Sequence, residues 1–186
     1  MGLSYPAYLL SWLFYFICNG VIISAIMLII TKLLVITDDT IFSPGYDFWD
    51  LPPIYLLFVL ANLGFVLLLS CFFTKAKSGA QAITFIQLIS TFLYFLRFSN
   101  DLAGNGALTT FLSFFPQMAF NMGVADIAFL MPDFTFSFTY GRANATLALL
   151  FVIYTTLALY LEQVLPSESG THKHPLFFLG IGKKTV

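Results

Sequence analysis

Residues 146–178 read TLALLFVIYTTLALYLEQVLPSESGTHKHPLFF. The first half, from Thr146 to Leu161, is an uncharged apolar run long enough to cross most of a bilayer core. At Glu162 the character changes, Pro166 breaks the run, and a polar strap through Gly170, His172, Lys173 and His174 leads to Pro175. A helix that leaves lipid, stops at a proline and enters a polar strap reads as a connector from a membrane domain toward soluble ground.

Composition agrees with a membrane chain. Of the 186 residues 59% are hydrophobic, 18% aromatic and only 9% charged, with mean hydropathy +0.90. Soluble domains carry about 25% charged residues, so the expectation is an all-α, polytopic membrane protein. The net charge of -1 is uninformative as a total, and no nucleic-acid partner is expected. Cys18 and Cys71 both lie in apolar runs and read as membrane thiols, not a disulfide framework. The N-terminus lacks the positive n-region of a secretory signal. Met1-Gly2 is no myristoylation site, because Pro6 stands where Ser or Thr is wanted.

Working outward, four apolar spans are expected near residues 7–31, 54–73, 80–96 and 146–163. Tyr5, Tyr8, Trp12 and Tyr15 crowd the start of the first, as an aromatic belt would, and Lys32 closes it by snorkelling to the interface. An acidic loop with Asp38, Asp39, Asp47 and Asp50 precedes the second span, whose apolar run is interrupted at Asn62 and Gly64. The second and third are joined by a short turn carrying Lys75 and Lys77, and Arg97 closes the third.

Residues 107–131 resist the same treatment. Pro116, Asn121, Gly123 and Asp126 interrupt them. A proline inside a helix costs about 3 kcal/mol, and an ionised aspartate at mid-bilayer costs about 2.5 kcal/mol or more. The expectation is a re-entrant external hairpin, turning near residues 121–123, where protein or water satisfies the breaks. Charge placement supports that choice. With a hairpin, Lys75 and Lys77 share a side with Lys173, Lys183 and Lys184, which the positive-inside rule makes cytoplasmic. The acidic residues then gather on the opposite side, and both termini are cytoplasmic.

Three segments carry a family resemblance. Met1-Gly2-Leu3 with Tyr8 and Leu10-Ser11-Trp12, then Leu68-Leu69-Ser70-Cys71-Phe72-Phe73-Thr74-Lys75-Ala76, then Tyr160-Leu161-Glu162-Gln163-Val164-Leu165-Pro166 with Gly170, Pro175, Phe177 and Phe178 resemble, in that order, segments of subfamily A ABC transporters. At the last segment Leu165 and Leu176 stand where that family has aromatics. The resemblance implies the distal part of one transmembrane domain of an exporter of the ABC-2 type. Residues 1–165 would form its membrane part and 166–186 a cytoplasmic connector toward a nucleotide-binding domain that this sequence does not contain. Glu162, Gln163, Pro166, Gly170 and Pro175 would form that connector. ATP and Mg²⁺ would belong to the missing domain, with none bound by this chain. The partners would be that domain, the second transmembrane half and membrane lipid; the cargo would be lipid or another amphipathic molecule. The chain itself would be no enzyme.

No catalytic or metal-binding constellation is expected. The segment Gly180-Ile181-Gly182-Lys183-Lys184-Thr185 glances at a phosphate loop, but Phe177 replaces the first glycine and Lys184 the Ser or Thr for Mg²⁺. His172 and His174 lack companions for a metal. Gln117, Asn121 and Asp126 have two readings: they line a transport or gating surface, or they sit at the wet tip of the hairpin. Phe92, Phe95, Phe98, Phe111, Phe114 and Phe115 read as packing and interface anchors. Asn144-Ala145-Thr146 is a glycosylation sequon placed too near the last span for ready access. A stand-alone four-span scaffold or accessory subunit of a membrane complex is the alternative to a transporter part.

Overall fold

The computed structural model describes residues 5–35, 42, 45–73, 75–99, 106–127 and 138–165. Every regular element among them is helical: α1 (Tyr5–Val35), α2 (Leu51–Ser70) with a 3-10 turn before it (Phe48–Asp50), α3 (Ala76–Ser99), α4 (Gly106–Leu112), α5 (Pro116–Ile127) and α6 (Tyr140–Val164). Helices are the expected outcome for apolar chain in lipid, where each backbone N–H and C=O has to find its partner within the segment.

Local sequence sets the ends. Pro52 and Pro53 fall in the first turn of α2, where a missing N–H leaves no bond unmade. Just before it, the Asp50 carboxylate accepts the Asp47 N–H at 2.8 Å. Helix α6 stops at Leu165, which is extended at φ -73, ψ 145 because Pro166 follows.

Contacts between helices fix their directions. Gly20 of α1 meets Val59 of α2, and Lys32 at the far end of α1 lies 4.8 Å from the Phe48 ring, so α1 and α2 are antiparallel. Gly79 of α3 sits against Phe73, and Gln87 bonds Asn62, so α3 runs back along α2. Helices α2 and α6 are parallel: Gly64 lies against Phe151 and Thr155, and the Cys71 Sγ reaches the Ala158 carbonyl at 3.5 Å. The start of α1 and the end of α6 therefore lie at the same end of the bundle.

Among the described residues, three stretches are long and apolar enough to cross a membrane: Leu10–Leu33, Phe48–Ser70 and Tyr140–Val164. Helix α3 has 24 residues and lies alongside α2. The outward surfaces are apolar, with Phe14 71%, Leu33 63% and Phe85 62% exposed. In water such surfaces would aggregate; against lipid tails they are solvated. The chain is an all-α integral membrane protein.

Between α3 and α6 the chain forms a broken pair of short helices. Its break lies at residues 113–115, not at 121–123 as the residue types suggested. Pro116 begins α5, a position where its ring is tolerated, so it starts a helix instead of interrupting one. Gly123 lies inside α5 for a packing reason. A Cβ there would come 2.4 Å from Ile54 Cδ1 and 2.6 Å from Ala143 Cβ. The glycine marks close helix approach, not a turn. The buried core gathers on this contact, from Ile54, Met118, Met122, Ala143 and Leu147.

Candidate functional site

Helix α5 is wedged between α2 and α6, and three sets of polar contacts hold it there. At its outer end, Asp126 Oδ2 accepts the Tyr46 hydroxyl at 2.9 Å and the Tyr140 backbone N–H at 2.7 Å. Thr139 precedes α6 in extended conformation but makes no side-chain cap. The first N–H of α6 is satisfied by a carboxylate from α5, and that negative charge faces the positive end of the α6 dipole. The Tyr140 hydroxyl donates to the Asp50 carbonyl at 2.8 Å, and its ring stands edge-on to Tyr46 at 5.7 Å. Burial, and next the bond to Asp126, push the Tyr46 phenol above its ordinary value of 10.0.

At the inner end, the Phe114 carbonyl in the turn accepts the Tyr154 hydroxyl of α6. Phe65 of α2 packs on both Phe115 and Tyr154, at 6.2 and 5.4 Å between ring centres. Tyr154 lies about 21 Å along α6 from its outer end, and α5 with its 12 residues spans about 18 Å. The turn at residues 113–115 thus descends past the middle of α6 and returns to the side it came from.

Between these ends is a set of amides at mid-helix. Asn62 Oδ1 of α2 accepts both Gln87 Nε2 of α3 and Gln117 Nε2 of α5, each at 2.9 Å. Ser90 Oγ lies 2.8 Å from the Gln87 carbonyl and 3.3 Å from Gln117 Oε1, with one proton to give. Ser90 is fully buried and Gln117 8% exposed. Three helices are joined at one acceptor in a region where an unpaired amide has no water to turn to.

Of the sequence-derived positions, Gln117 belongs to this amide set and Asp126 to the outer cap. Asn121 is half-buried within α5. Glu162 is exposed and Gln163 half-buried near the end of α6; Pro166, Gly170 and Pro175, with His172 and His174, lie outside the described residues. Asn144 sits within α6 with its Oδ1 buried and unpartnered. Sequence reasoning did not single out Asn62, Gln87, Ser90, Tyr46, Tyr140 or Tyr154 as members of the site. Asn62 and Gln87 left a signal, since an amide in the middle of an apolar span has to find a partner.

Among the described residues no group of three His, Cys, Asp or Glu side chains could hold a metal ion. The arrangement positions a short helix inside a bundle.

The chain is similar to ABC transporter A family member 7 of Dictyostelium discoideum, 28% identical over 193 residues that cover 96% of this chain and 21% of that protein. Family member 9 of the same organism is 28% identical over 189 residues, covering 96% of this chain and 22% of its own. A protein named cholesterol transporter ABCA5 from Rattus norvegicus is 28% identical over 192 residues, covering 96% of this chain and 11% of its own. This chain therefore spans 11–22% of the length of these relatives. No protein-family profile matches, and no solved structure does.

Proposed function

We propose that this chain forms part of the transmembrane domain of an ATP-driven transporter resembling ABC subfamily A, and that its cargo is a lipid or another amphipathic molecule. The observation that carries the reading is similarity along 96% of the chain to several members of that family. Relatives named cholesterol transporters speak for a lipid cargo.

On this reading residues 1–165 are the membrane part and 166–186 the connector. The end carrying Lys75 and Lys77 faces the cytoplasm, as do both termini. Glu162, Gln163, Pro166, Gly170 and Pro175 pass force between α6 and a nucleotide-binding domain. Gln117, Asn121 and Asp126, all on α5, set the position of the hairpin against the cargo path. ATP and Mg²⁺ would be bound by the nucleotide-binding partner and not by this chain. A second transmembrane half completes the path.

The test is purification of the chain with a C-terminal tag from its native membranes in mild detergent. A Mg²⁺-dependent ATPase should accompany it, and the reconstituted complex should move labelled lipid between leaflets only with ATP. A chain that purifies with no ATP-hydrolysing partner and moves no lipid sinks the reading. Its orientation is tested separately in sealed cells, with Cys18 and Cys71 removed. A cysteine at Lys75 should react with an impermeant thiol reagent only after permeabilisation, and one at Trp49, which is 79% exposed, should react before it.

A further inference from the structure

The helices of this bundle are not joined in one way. Helices α2, α5 and α6 meet through backbone-close and aromatic contacts. A Cβ on Gly64 would stand 3.3 Å from the Phe151 carbonyl and 3.3 Å from the Thr155 nitrogen, and Phe58 stacks on Phe120 at 4.3 Å. Such surfaces are close-packed and have a single good register.

The described side chains of helix α3, through Leu93, are held differently. Its outward residues Phe85, Leu88, Ile89 and Phe92 are 62%, 53%, 44% and 61% exposed. The hydrogen bonds that its described side chains make to other helices run through Gln87 and Ser90, to Asn62 and Gln117. Ile83 and Leu93 add apolar contact on either side of these residues. Amide bonds can exchange partners without loss if water or another amide is offered, whereas interlocked rings and backbones cannot slide.

We infer that the amide set Asn62–Gln87–Gln117, with Ser90, is a releasable latch by which α3 is fastened to a rigid body made of α2, α5 and α6. Seated, the latch gives the side-chain nitrogens of Gln87 and Gln117 a shared acceptor in Asn62 Oδ1. Water admitted between α3 and α5 would re-pair the same groups and let α3 swing outward while the hairpin stays in place. Asn62 is the keystone, since its one oxygen holds both glutamines. The inference concerns the bundle alone and is independent of cargo or ATP.

Distances between spin labels in the full 186-residue chain, reconstituted in lipid nanodiscs, test it. With Cys18 and Cys71 replaced by alanine, one pair of labels at Leu88 and Val152 reports α3 against α6, and a second pair at Leu56 and Val152 reports α2 against α6. All three positions are outward, at 53%, 59% and 41% exposed for Leu88, Val152 and Leu56. Asn62→Leu should broaden the α3–α6 distribution about twofold and leave the α2–α6 distribution unchanged. An unchanged α3–α6 distribution overturns the latch. Broadening of both pairs also overturns it, because Asn62 would then hold the whole core and not α3. Gln87→Leu combined with Ser90→Ala cuts both bonds from α3 while sparing the Asn62–Gln117 bond, and it should reproduce the selective broadening if Asn62→Leu does not assemble. Failure of that double variant to do so overturns the inference as well.

Discussion

Asp126 illustrates how much a single carboxylate can organise at one end of a helical bundle. It joins three segments distant in sequence: the loop at Tyr46, the end of α5, and the first turn of α6. Hydrogen bonds to a charged acceptor contribute about 1.5–3 kcal/mol each. Asp126→Ala should therefore lower thermal stability in detergent by about 3–6 kcal/mol, and Asp126→Asn, which keeps one acceptor oxygen, by less. Equal stability of all three proteins would show that the cap is idle. Tyr46 adds a pH dependence. Its phenol is raised above 10.0 in the folded state, so the folded chain holds that proton more tightly than the unfolded chain. The stabilisation is complete below pH 10 and is lost as pH rises through the raised value. The stability gap between the wild type and Tyr46→Phe should accordingly close in alkaline melts; a gap constant to the highest pH would contradict it. Gly64 makes a third case. Gly64→Ala places a methyl 3.0 Å from Thr155 Oγ1 and against the α6 backbone, where nothing flexible can yield. A loss of about 1–3 kcal/mol is expected by analogy with overpacked cores, measured by thermal aggregation in detergent.

At the scale of elements, the long helices were legible because apolar runs of bilayer length have few other fates. Each begins a few residues before the run that announced it: α6 starts at Tyr140, ahead of the uncharged stretch from Thr146. Arg142 explains the difference, since its guanidinium donates to Thr110 Oγ1 at 2.8 Å and lies 5.1 Å from the Phe138 ring. A charge at the helix start is satisfied by α4 and does not end the helix. The broken pair was legible in kind but not in register. Pro116 and Gly123 are both nominal breakers, and only contact geometry tells that the first opens a helix while the second admits Ile54 and Ala143. Gly123→Leu should consequently expel α5 from between α2 and α6, exposing Met118 and Met122, which are fully buried. Faster oxidation of both methionines by peroxide is the expected readout, and an unaltered rate would mean that α5 is not wedged there. Pro116→Ala, by contrast, should cost less than about 1 kcal/mol, because a first-turn proline holds no essential bond.

For the whole molecule, composition announced a membrane protein, and the family resemblance agrees with relatives that match along nearly all of the chain. The amide set was not legible, because which mid-span polar groups find one another depends on helix directions that periodicity does not encode. Asn62, Gln87 and Gln117 are far apart in sequence and meet only because α3 runs back along α2 while α5 starts from a turn near the middle of the bundle. Helix α6, meanwhile, grips the hairpin twice: at Tyr140 through Asp126, and again at Tyr154 through the Phe114 carbonyl. Two points define a line. A rod pinned to its neighbour at both ends can neither slip past it nor roll beneath it, so α5 is a rider on α6. A displacement of α6 along its own axis would carry the hairpin by the same stroke without any lever arm.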